Sequence, residues 1–166
     1  MLPGREESWA GRHVVVVGAG VSGMGAVRAL AARGASITLL DGADGDRQRV
    51  AAAEVVRLGG TAHLGGLPAA PGAEVELVVT SPGLHPDTPY LVAAQAAGVP
   101  VAGEVELAWR WTGGTRWLAV TGTNGKTTTT EMLGAILVAA GAVATTAGNI
   151  GTPIVEAVTA RPPYEV

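Results

Sequence analysis

The residues with the clearest chemical potential form one glycine-rich stretch, Gly122-Thr123-Asn124-Gly125-Lys126-Thr127-Thr128. An apolar run at 117–120 precedes it and an apolar segment follows it, which is the order strand, loop, helix. Glycines let the backbone turn tightly and direct its N–H groups at an anion, and the new helix adds its positive N-terminal end. Lys126 could reach the terminal phosphates of a nucleotide, and the Thr127 hydroxyl could coordinate Mg²⁺. The stretch therefore predicts a nucleoside-triphosphate site.

The spacing of this loop departs from the common P-loop, because two residues rather than about four separate Gly122 from Gly125 and Lys126. Lys126 is nevertheless the single lysine of the chain, which otherwise carries ten arginines. A lysine is a compact, flexible point charge, which suits a triphosphate. The alternative is a glycine-rich β–α turn with an incidental lysine.

A second glycine pattern lies near the N-terminus, where Gly18-Ala19-Gly20-Val21-Ser22-Gly23 fits G-x-G-x-x-G. The pattern follows an all-valine run at 14–17, and Asp41 stands 18 residues after Gly23, at the end of the next predicted strand. In the dinucleotide-binding arrangement the helix N-terminus takes a pyrophosphate and the acid takes a polar group of the nucleoside. The pattern predicts a pyrophosphate site without naming a cofactor, and a tight turn without a ligand is the alternative.

Two further turns stand at predicted strand ends, Ser81-Pro82-Gly83 and Gly148-Asn149-Ile150-Gly151. Ligands of open α/β sheets bind beyond the carboxyl ends of the strands. The free N–H groups of the first turn could hold a phosphate, although a plain turn fits its local sequence equally well. Glu104 and Glu106 follow Gly103, and we interpret both as acids favoured by the dipole of a helix N-terminus rather than as a catalytic pair.

Strands and helices alternate in the order needed to position these loops. The predicted strands are 14–17, 36–40, 61–64, 74–80, 99–102, 117–120 and 143–146. The predicted helices are 21–32, 47–58, 88–97, 104–111 and 126–140, with one more beginning after 152. This alternation predicts an α/β protein, with a Rossmann-like parallel-sheet domain at 1–112 and the start of a P-loop ATP-binding α/β domain at 113–166. The linker between them is Thr112-Gly113-Gly114-Thr115.

Composition narrows the classes of function. The chain is 48% hydrophobic and 15% charged, which favours a globular core, and its net charge of −3 with no basic patch argues against nucleic acid as partner. No apolar run approaches the roughly eighteen residues of a membrane span, and no signal peptide is recognisable. The absence of cysteine excludes disulfides and thiolate zinc sites and fits a reducing cytosol. The three histidines are scattered, which argues against a metal site built from them.

In their order along the chain, these motifs resemble those of the Mur ligases, the ATP-dependent amide-bond enzymes of peptidoglycan synthesis. The resemblance is carried by the first glycine pattern, Asp41, Ser81-Pro82-Gly83, Gly103-Glu104-Val105-Glu106-Leu107, the second glycine loop and Gly148-Asn149-Ile150-Gly151. Asn124 stands where the L-alanine-adding members usually have histidine. This difference favours the branch of the family that adds D-glutamate.

The resemblance implies an acyl-phosphate mechanism with UDP-N-acetylmuramoyl-L-alanine, D-glutamate and ATP as substrates and Mg²⁺ as cofactor. It also implies a cytoplasmic monomer that serves cell-wall biogenesis, cell shape and cell division. ATP would be held by Gly122, Thr123, Asn124, Gly125, Lys126, Thr127 and Thr128, with Lys126 as the catalytic group on the β/γ oxygens and Thr127 on the metal. The UDP-substrate would be held by Val21 and Ser22 at the diphosphate, Asp41 near the uracil, Ser81, Pro82 and Gly83 alongside the nucleotide, and Asn149 in the cleft between the domains.

The family's magnesium-binding glutamate, catalytic histidine, modified lysine and C-terminal domain would lie beyond Val166. We therefore expect the chain to be an N-terminal fragment that is inactive by itself. Two other functions stay open from the residues alone. One is a nicotinamide- or flavin-dependent oxidoreductase, suggested by the first glycine pattern, and the other is a non-catalytic nucleotide-binding module.

Overall fold

The computed structural model describes residues 8–112, 115–149, 151–160 and 162–166. Gly113 and Gly114 of the predicted linker and Ile150 of the last glycine turn lie outside the described residues. The strands are β1 (His13–Val17), β2 (Ser36–Asp41), β3 (Thr61–Leu64), β4 (Val75–Thr80) and β5 (Val101–Gly103). The helices are α1 (Val21–Ala31), α2 (Asp46–Arg57), α3 (Pro89–Ala96), α4 (Glu104–Trp111), α5 (Lys126–Ala139) and α6 (Ile154–Thr159).

The five strands form one parallel sheet in the order β3-β2-β1-β4-β5. This is the strand order of a Rossmann-like half, in which the chain reverses its direction of winding between β1 and β4. The predicted α/β fold with a Rossmann-like N-terminal domain is confirmed. The carboxyl end of central β1 therefore lies beside the ends of β2 and β4, where ligands bind in this fold.

Helices cover both faces of the sheet, because successive side chains of a strand point to opposite faces. Val14 and Val16 belong to one buried core, and Val15 and Val17 belong to the other. All four are buried, which explains why β1 reads as continuous valine rather than as an alternating pattern. Trp9 and Trp111 extend the first core and meet edge to face, with ring centroids 5.5 Å apart.

The strands predicted at 117–120 and 143–146 are wrong, since both segments lack strand structure. Their neighbourhood is held by a few backbone bonds to the last residues: Arg116 N–H donates to the Glu165 carbonyl, Glu165 N–H to Val143, and Thr145 N–H to Val166. A strand needs a continuous ladder of hydrogen bonds with a neighbour, and these isolated bonds do not make one.

Helix α6 packs against the N-terminal sheet domain rather than on α5. Val155 is fully buried in the core that contains Val14 and Trp111, and α6 lies in contact with α1 and α4. In contrast, α5 has no buried residue, and Met132 and Ile136 on it are largely exposed. None of the helices in the described part of the chain combines the length and the hydropathy that a bilayer span requires.

Candidate functional site

The first glycine loop joins β1 to α1 and contains two glycines at positions with no room for a Cβ unless a neighbour shifts. Gly18 has φ +102°, a conformation that favours glycine, and a Cβ there would lie 2.7 Å from Ser81 Oγ. A Cβ on Gly23 would overlap the carbonyl oxygen of Gly18. The loop is therefore tight because the start of α1 passes directly over the end of β1.

Two polar side chains brace this loop from neighbouring strands. Ser81, at the end of β4, donates a 3.1 Å hydrogen bond from its hydroxyl to the Gly18 carbonyl. Asp41, at the end of β2, accepts 2.7 Å and 2.9 Å hydrogen bonds on its two carboxylate oxygens from the N–H groups of Ala19 and Ala43. The structure thus brings Asp41 and Ser81 to the same loop, as the topology predicts, and gives each a bracing contact that the spacing alone did not reveal.

The start of α1 presents backbone donors without a side-chain cap. Gly20 is the N-cap residue, makes no side-chain capping bond, and is followed by no acidic residue in the first turn. The first N–H groups of a helix have no partner within the helix, and an anion satisfies them well. Val21 is partly exposed here, whereas Ser22 is buried and its hydroxyl has no hydrogen-bond partner among the residues that the structure describes. An unpaired buried hydroxyl beside unpaired N–H groups fits a phosphate oxygen.

One charged residue near this loop was missed by sequence reasoning. An Nη atom of Arg47, in the first turn of α2, lies 3.9 Å from the position of a Cβ on Gly20. A guanidinium there adds positive charge beside the start of α1, where a diphosphate would sit. Its signal in the sequence is weak, because Arg47 lies six residues beyond Asp41 among other arginines and an aspartate on an exposed helix.

Pro82 and Gly83 continue from Ser81 into an exposed turn at the sheet's carboxyl edge. The Leu84 N–H closes the turn on the Ser81 carbonyl at 3.1 Å, and nothing lies within 4 Å of a Cβ on Gly83. The turn therefore stands beside the first glycine loop and leaves open space at its tip.

The second glycine loop is an open turn before α5. Gly122 and Gly125 have φ angles of +151° and +76°, so both occupy backbone conformations that favour glycine. Gly125 is the N-cap of α5, no acidic residue follows it in the first turn, and Thr127 and Thr128 are exposed there. Lys126 folds back on its own loop, where its Nζ donates to the carbonyls of Gly122 at 2.5 Å and Thr123 at 3.3 Å. The loop thus offers an ammonium, hydroxyls and helix N–H groups to an anion.

The turn that carries Asn149 is closed by a 2.9 Å hydrogen bond from the Gly148 N–H to the Thr152 carbonyl. Asn149 is exposed on this turn, and Gly151 has φ +81°. The next residue after Thr152 is Pro153, which packs against Gly25 of α1. The turn is therefore anchored to the helix whose N-terminus forms the first glycine loop.

Several charged side chains meet at the interface around α6. Glu104 is buried, and this burial raises the pKa of its carboxyl, although backbone N–H groups of α6 partly counter the effect. Arg28 of α1 lies 2.6 Å from Glu54 and 2.7 Å from Glu156. Its hydrogen bond lowers the pKa of the Glu54 carboxyl. An ion pair and a buried hydrogen bond therefore both connect α6 to the N-terminal domain.

Two family descriptions match the chain. The model for "Mur ligase MurD-like, N-terminal domain" matches residues 12–103, and the model for "Mur ligase middle domain" matches residues 120–162. The first covers most of the described sheet domain, and the second covers the second glycine loop, α5 and α6.

Curated relatives match almost the whole chain. The UDP-N-acetylmuramoylalanine--D-glutamate ligase of Frankia casuarinae is 65% identical over 158 residues, which are 95% of this chain and 33% of that protein. The protein of the same name from Thermobifida fusca is 53% identical over 92% of this chain and 33% of its own length. The chain thus spans about a third of the length of these relatives.

A solved structure supports the fold independently of sequence. The UDP-N-acetylmuramate:L-alanyl-gamma-D-glutamyl-meso-diaminopimelate ligase from Neisseria meningitides superposes with a TM-score of 0.54 at 23% identity. The match covers 81% of this chain and 41% of that one.

Proposed function

The chain belongs to the Mur ligase family, and on that premise we propose that it forms the UDP-substrate-binding domain and the start of the ATP-binding domain of a D-glutamate-adding ligase. The substrates of that ligase are UDP-N-acetylmuramoyl-L-alanine, D-glutamate and ATP. The division falls at residues 112 and 113, and the family matches at 12–103 and 120–162 support it. The high identity to two relatives that carry the name of this ligase supports the choice of amino acid.

One observation carries the proposal: two helices, α1 and α5, begin directly after glycine turns, and neither has an acidic residue in its first turn. Each helix start is a phosphate-binding feature, and a ligase of this kind needs two of them. One takes the diphosphate of the UDP-substrate, and the other takes the triphosphate of ATP. A module that binds one nucleotide would use only one of these two helix N-termini.

The reaction follows an acyl-phosphate route. The carboxylate of the L-alanyl group attacks the γ-phosphorus of ATP, a P–O bond forms, and ADP leaves. The amine of D-glutamate then attacks the acyl carbon, a tetrahedral intermediate forms, and phosphate departs as the amide bond is completed and the amine loses a proton. Such a reaction depends on positioning and on neutralising phosphate charge.

Within this scheme Gly122 to Thr128 hold the phosphates of ATP. Lys126 leaves the carbonyls of its own loop and places its ammonium on the β/γ oxygens, where it neutralises charge in the transition state. Thr127 has an exposed position in the first turn of α5, and its hydroxyl oxygen is a suitable ligand for Mg²⁺. Mg²⁺ would supply charge neutralisation of the triphosphate.

The UDP-substrate occupies the first glycine loop in this proposal. The diphosphate lies at Val21 and Ser22, where the unpaired hydroxyl of Ser22 and the nearby guanidinium of Arg47 suit an anion. Asp41 lies near the uracil, with Ser81, Pro82 and Gly83 alongside the nucleotide. The muramoyl end extends to Asn149. We further propose that the parent enzyme is a cytoplasmic monomer that acts in cell-wall synthesis.

Calorimetric titration of the 166-residue chain tests the substrate half of the proposal. We expect saturable binding of UDP-N-acetylmuramoyl-L-alanine and no binding of NAD⁺. Ser22→Ala removes the unpaired hydroxyl without disturbing a hydrogen bond, and we expect it to weaken the UDP-substrate about three- to tenfold. Ser8→Ala is the control, because Ser8 precedes the amino end of β1 whereas the loop follows its carboxyl end. Binding of NAD⁺ without the UDP-substrate would assign the first loop to an oxidoreductase instead.

A further inference from the structure

Glu104 is a buried carboxylate whose partner lies in a distant part of the chain. It is the first residue of α4, and only 1% of its surface is exposed. Its Oε1 accepts a 2.7 Å hydrogen bond from the N–H of Val155, in the first turn of α6, 51 residues away. Helix α4 begins directly after the N-terminal family match, which ends at residue 103, and the proposed division at 112 and 113 places it in the N-terminal domain. Helix α6 lies within the middle-domain match at 120–162. The bond therefore crosses from one domain to the other.

Burying this carboxylate is unfavourable unless something stabilises its charge. The stabilising group is the start of α6, because a helix presents its unpaired N–H groups and positive dipole end there. Pro153, the N-cap residue of α6, offers no side-chain cap of its own. Glu104 thus supplies from the other domain the acceptor that α6 lacks. Glu156 on α6 is held at 2.7 Å by Arg28 of α1, which offsets its repulsion of Glu104.

The start of α6 is directly connected to the turn that carries Asn149. That turn closes between Gly148 and Thr152, and Pro153 follows at once. Pro153 packs against Gly25, which lies one helical turn beyond Val21 on α1. The Asn149 turn and the first glycine loop are consequently attached to the same helix, on either side of this contact.

We propose that Glu104 is a positioning residue. By capping the start of α6, it holds the Asn149 turn within reach of the muramoyl-L-alanine end of a UDP-substrate that is bound at the first glycine loop. This inference rests on the proposed function. The uridine diphosphate part contacts only the N-terminal domain, so its binding does not depend on the cap. The muramoyl-L-alanine part reaches the middle domain, so its binding does.

The test compares two ligands on the 166-residue chain by calorimetry, UDP and UDP-N-acetylmuramoyl-L-alanine. We expect Glu104→Ala to weaken the second ligand about tenfold or more while UDP changes less than about twofold. Glu104→Gln keeps an acceptor oxygen for the Val155 N–H and should restore most of the affinity. Glu106→Ala is the matched control, since it removes an exposed glutamate from the same helix, and should leave both affinities unchanged.

Two further variants keep the inference falsifiable if Glu104→Ala unfolds. Gly25→Ala displaces Pro153, the N-cap residue of α6, from the side of α1. It should cause the same selective loss of affinity for UDP-N-acetylmuramoyl-L-alanine. Asn149→Ala should lower the affinity for the full substrate. Adding Glu104→Gln or Gly25→Ala to this variant should bring little further loss of affinity, because a misplaced turn and a missing Asn149 side chain remove the same contact. Hydrogen exchange gives a readout without a ligand: the Val155 amide should exchange faster in Glu104→Ala and not in Glu106→Ala.

The outcomes separate the inference from the function on which it rests. Failure of the unchanged chain to bind UDP-N-acetylmuramoyl-L-alanine contradicts the proposed function, and the positioning role falls with it. Substrate binding by the unchanged chain, with equal losses for both ligands in Glu104→Ala and Gly25→Ala, overturns the positioning role alone. The positioning role is also overturned if both variants bind the full substrate as tightly as the unchanged chain.

Discussion

Gly25 of α1 and Pro153 before α6 lie in direct contact, so that a Cβ on Gly25 would stand 2.7 Å from Cγ of the proline ring. A glycine inside a helix is less favourable than alanine by about 1 kcal/mol. Here the missing methyl group makes room for a second element. The contact explains why the middle of α1 carries a glycine and why α6 can approach it closely.

Replacing this glycine should weaken the fold despite the better helix propensity of alanine. We expect Gly25→Ala to lower the free energy of unfolding by about 1–3 kcal/mol, because the added methyl group overpacks a rigid proline. Urea denaturation followed by circular dichroism measures the change. Gly42→Ala is the control, since nothing lies within 4 Å of a Cβ there and its φ is not positive. Equal free energies of unfolding for the two variants would show that α6 can move away from the added methyl group without loss of stability.

Much of the sheet domain follows from local patterns. The valine run of β1, the glycines at 18 and 23, and Asp41 are close together in the chain, and their spacing predicts a strand, a tight turn and a helix over it. The observed bounds of the first five strands and four helices differ from the predicted ones by no more than two residues. Local periodicity works here because strand, turn and helix follow one another directly in the chain and each leaves its own pattern in the sequence.

Features that depend on distant partners could not be predicted in the same way. Residues 117–120 have the composition of a strand, but whether a strand forms depends on the ladder beside it. Glu104 looked like an ordinary acid at a helix start, and its burial follows only from α6, about fifty residues later, packing over it. The bond from Ala19 to Asp41 is of the same kind, because register and not spacing decides which N–H the carboxylate meets.

The bracing role of Asp41 leads to a prediction that separates stability from ligand contact. We expect Asp41→Ala to lower the free energy of unfolding by about 1–3 kcal/mol, since the N–H groups of Ala19 and Ala43 lose their acceptors. It should also weaken UDP binding, because the first glycine loop loses its support. Thermal denaturation and UDP titration measure the two effects.

Asp87→Ala is the control for that substitution, because Asp87 lies on an exposed turn where its carboxylate meets only His85 among the described contacts. Its stability should stay within about 0.5 kcal/mol of the unchanged chain. If Asp41→Ala were as stable as this control, the two hydrogen bonds would contribute nothing, and the carboxylate would be free for the uracil alone.

The single lysine should matter for ATP and not for folding. Lys126→Ala should weaken Mg²⁺–ATP binding by about tenfold or more, because it removes the charge that the proposal places on the β/γ oxygens. The unfolding free energy should change by less than about 0.5 kcal/mol, since the side chain is exposed and its hydrogen bonds within the described part of the chain go to carbonyls of its own loop. Calorimetry with Mg²⁺–ATP, with and without a chelator, measures the effect.

Arginine in the same place should not repair that loss, because a planar fork replaces a compact ammonium in a tight loop. Arg116→Ala removes an exposed cation from the preceding segment and serves as the control. UDP-substrate affinity should be the same in all three variants. A Lys126→Ala chain that binds Mg²⁺–ATP as tightly as the unchanged chain would refute the assignment of the second glycine loop.

Burial of Glu104 makes a prediction about pH whose sign follows from the raised pKa. The folded chain binds the proton of this carboxyl more readily than the unfolded chain does, so stability from this group is greatest in acid and falls as pH rises above about 4.5, the ordinary value for glutamate. Glu104→Gln cannot titrate and retains an oxygen for the Val155 N–H. The unfolding free energy of Glu104→Gln minus that of the unchanged chain should therefore increase from pH 4 towards pH 7. Urea denaturation across this range measures the difference, with Glu106→Gln as the control for loss of one charge on the same helix. A difference that stays flat, or that declines with pH, would mean that the start of α6 stabilises the Glu104 carboxylate fully against burial.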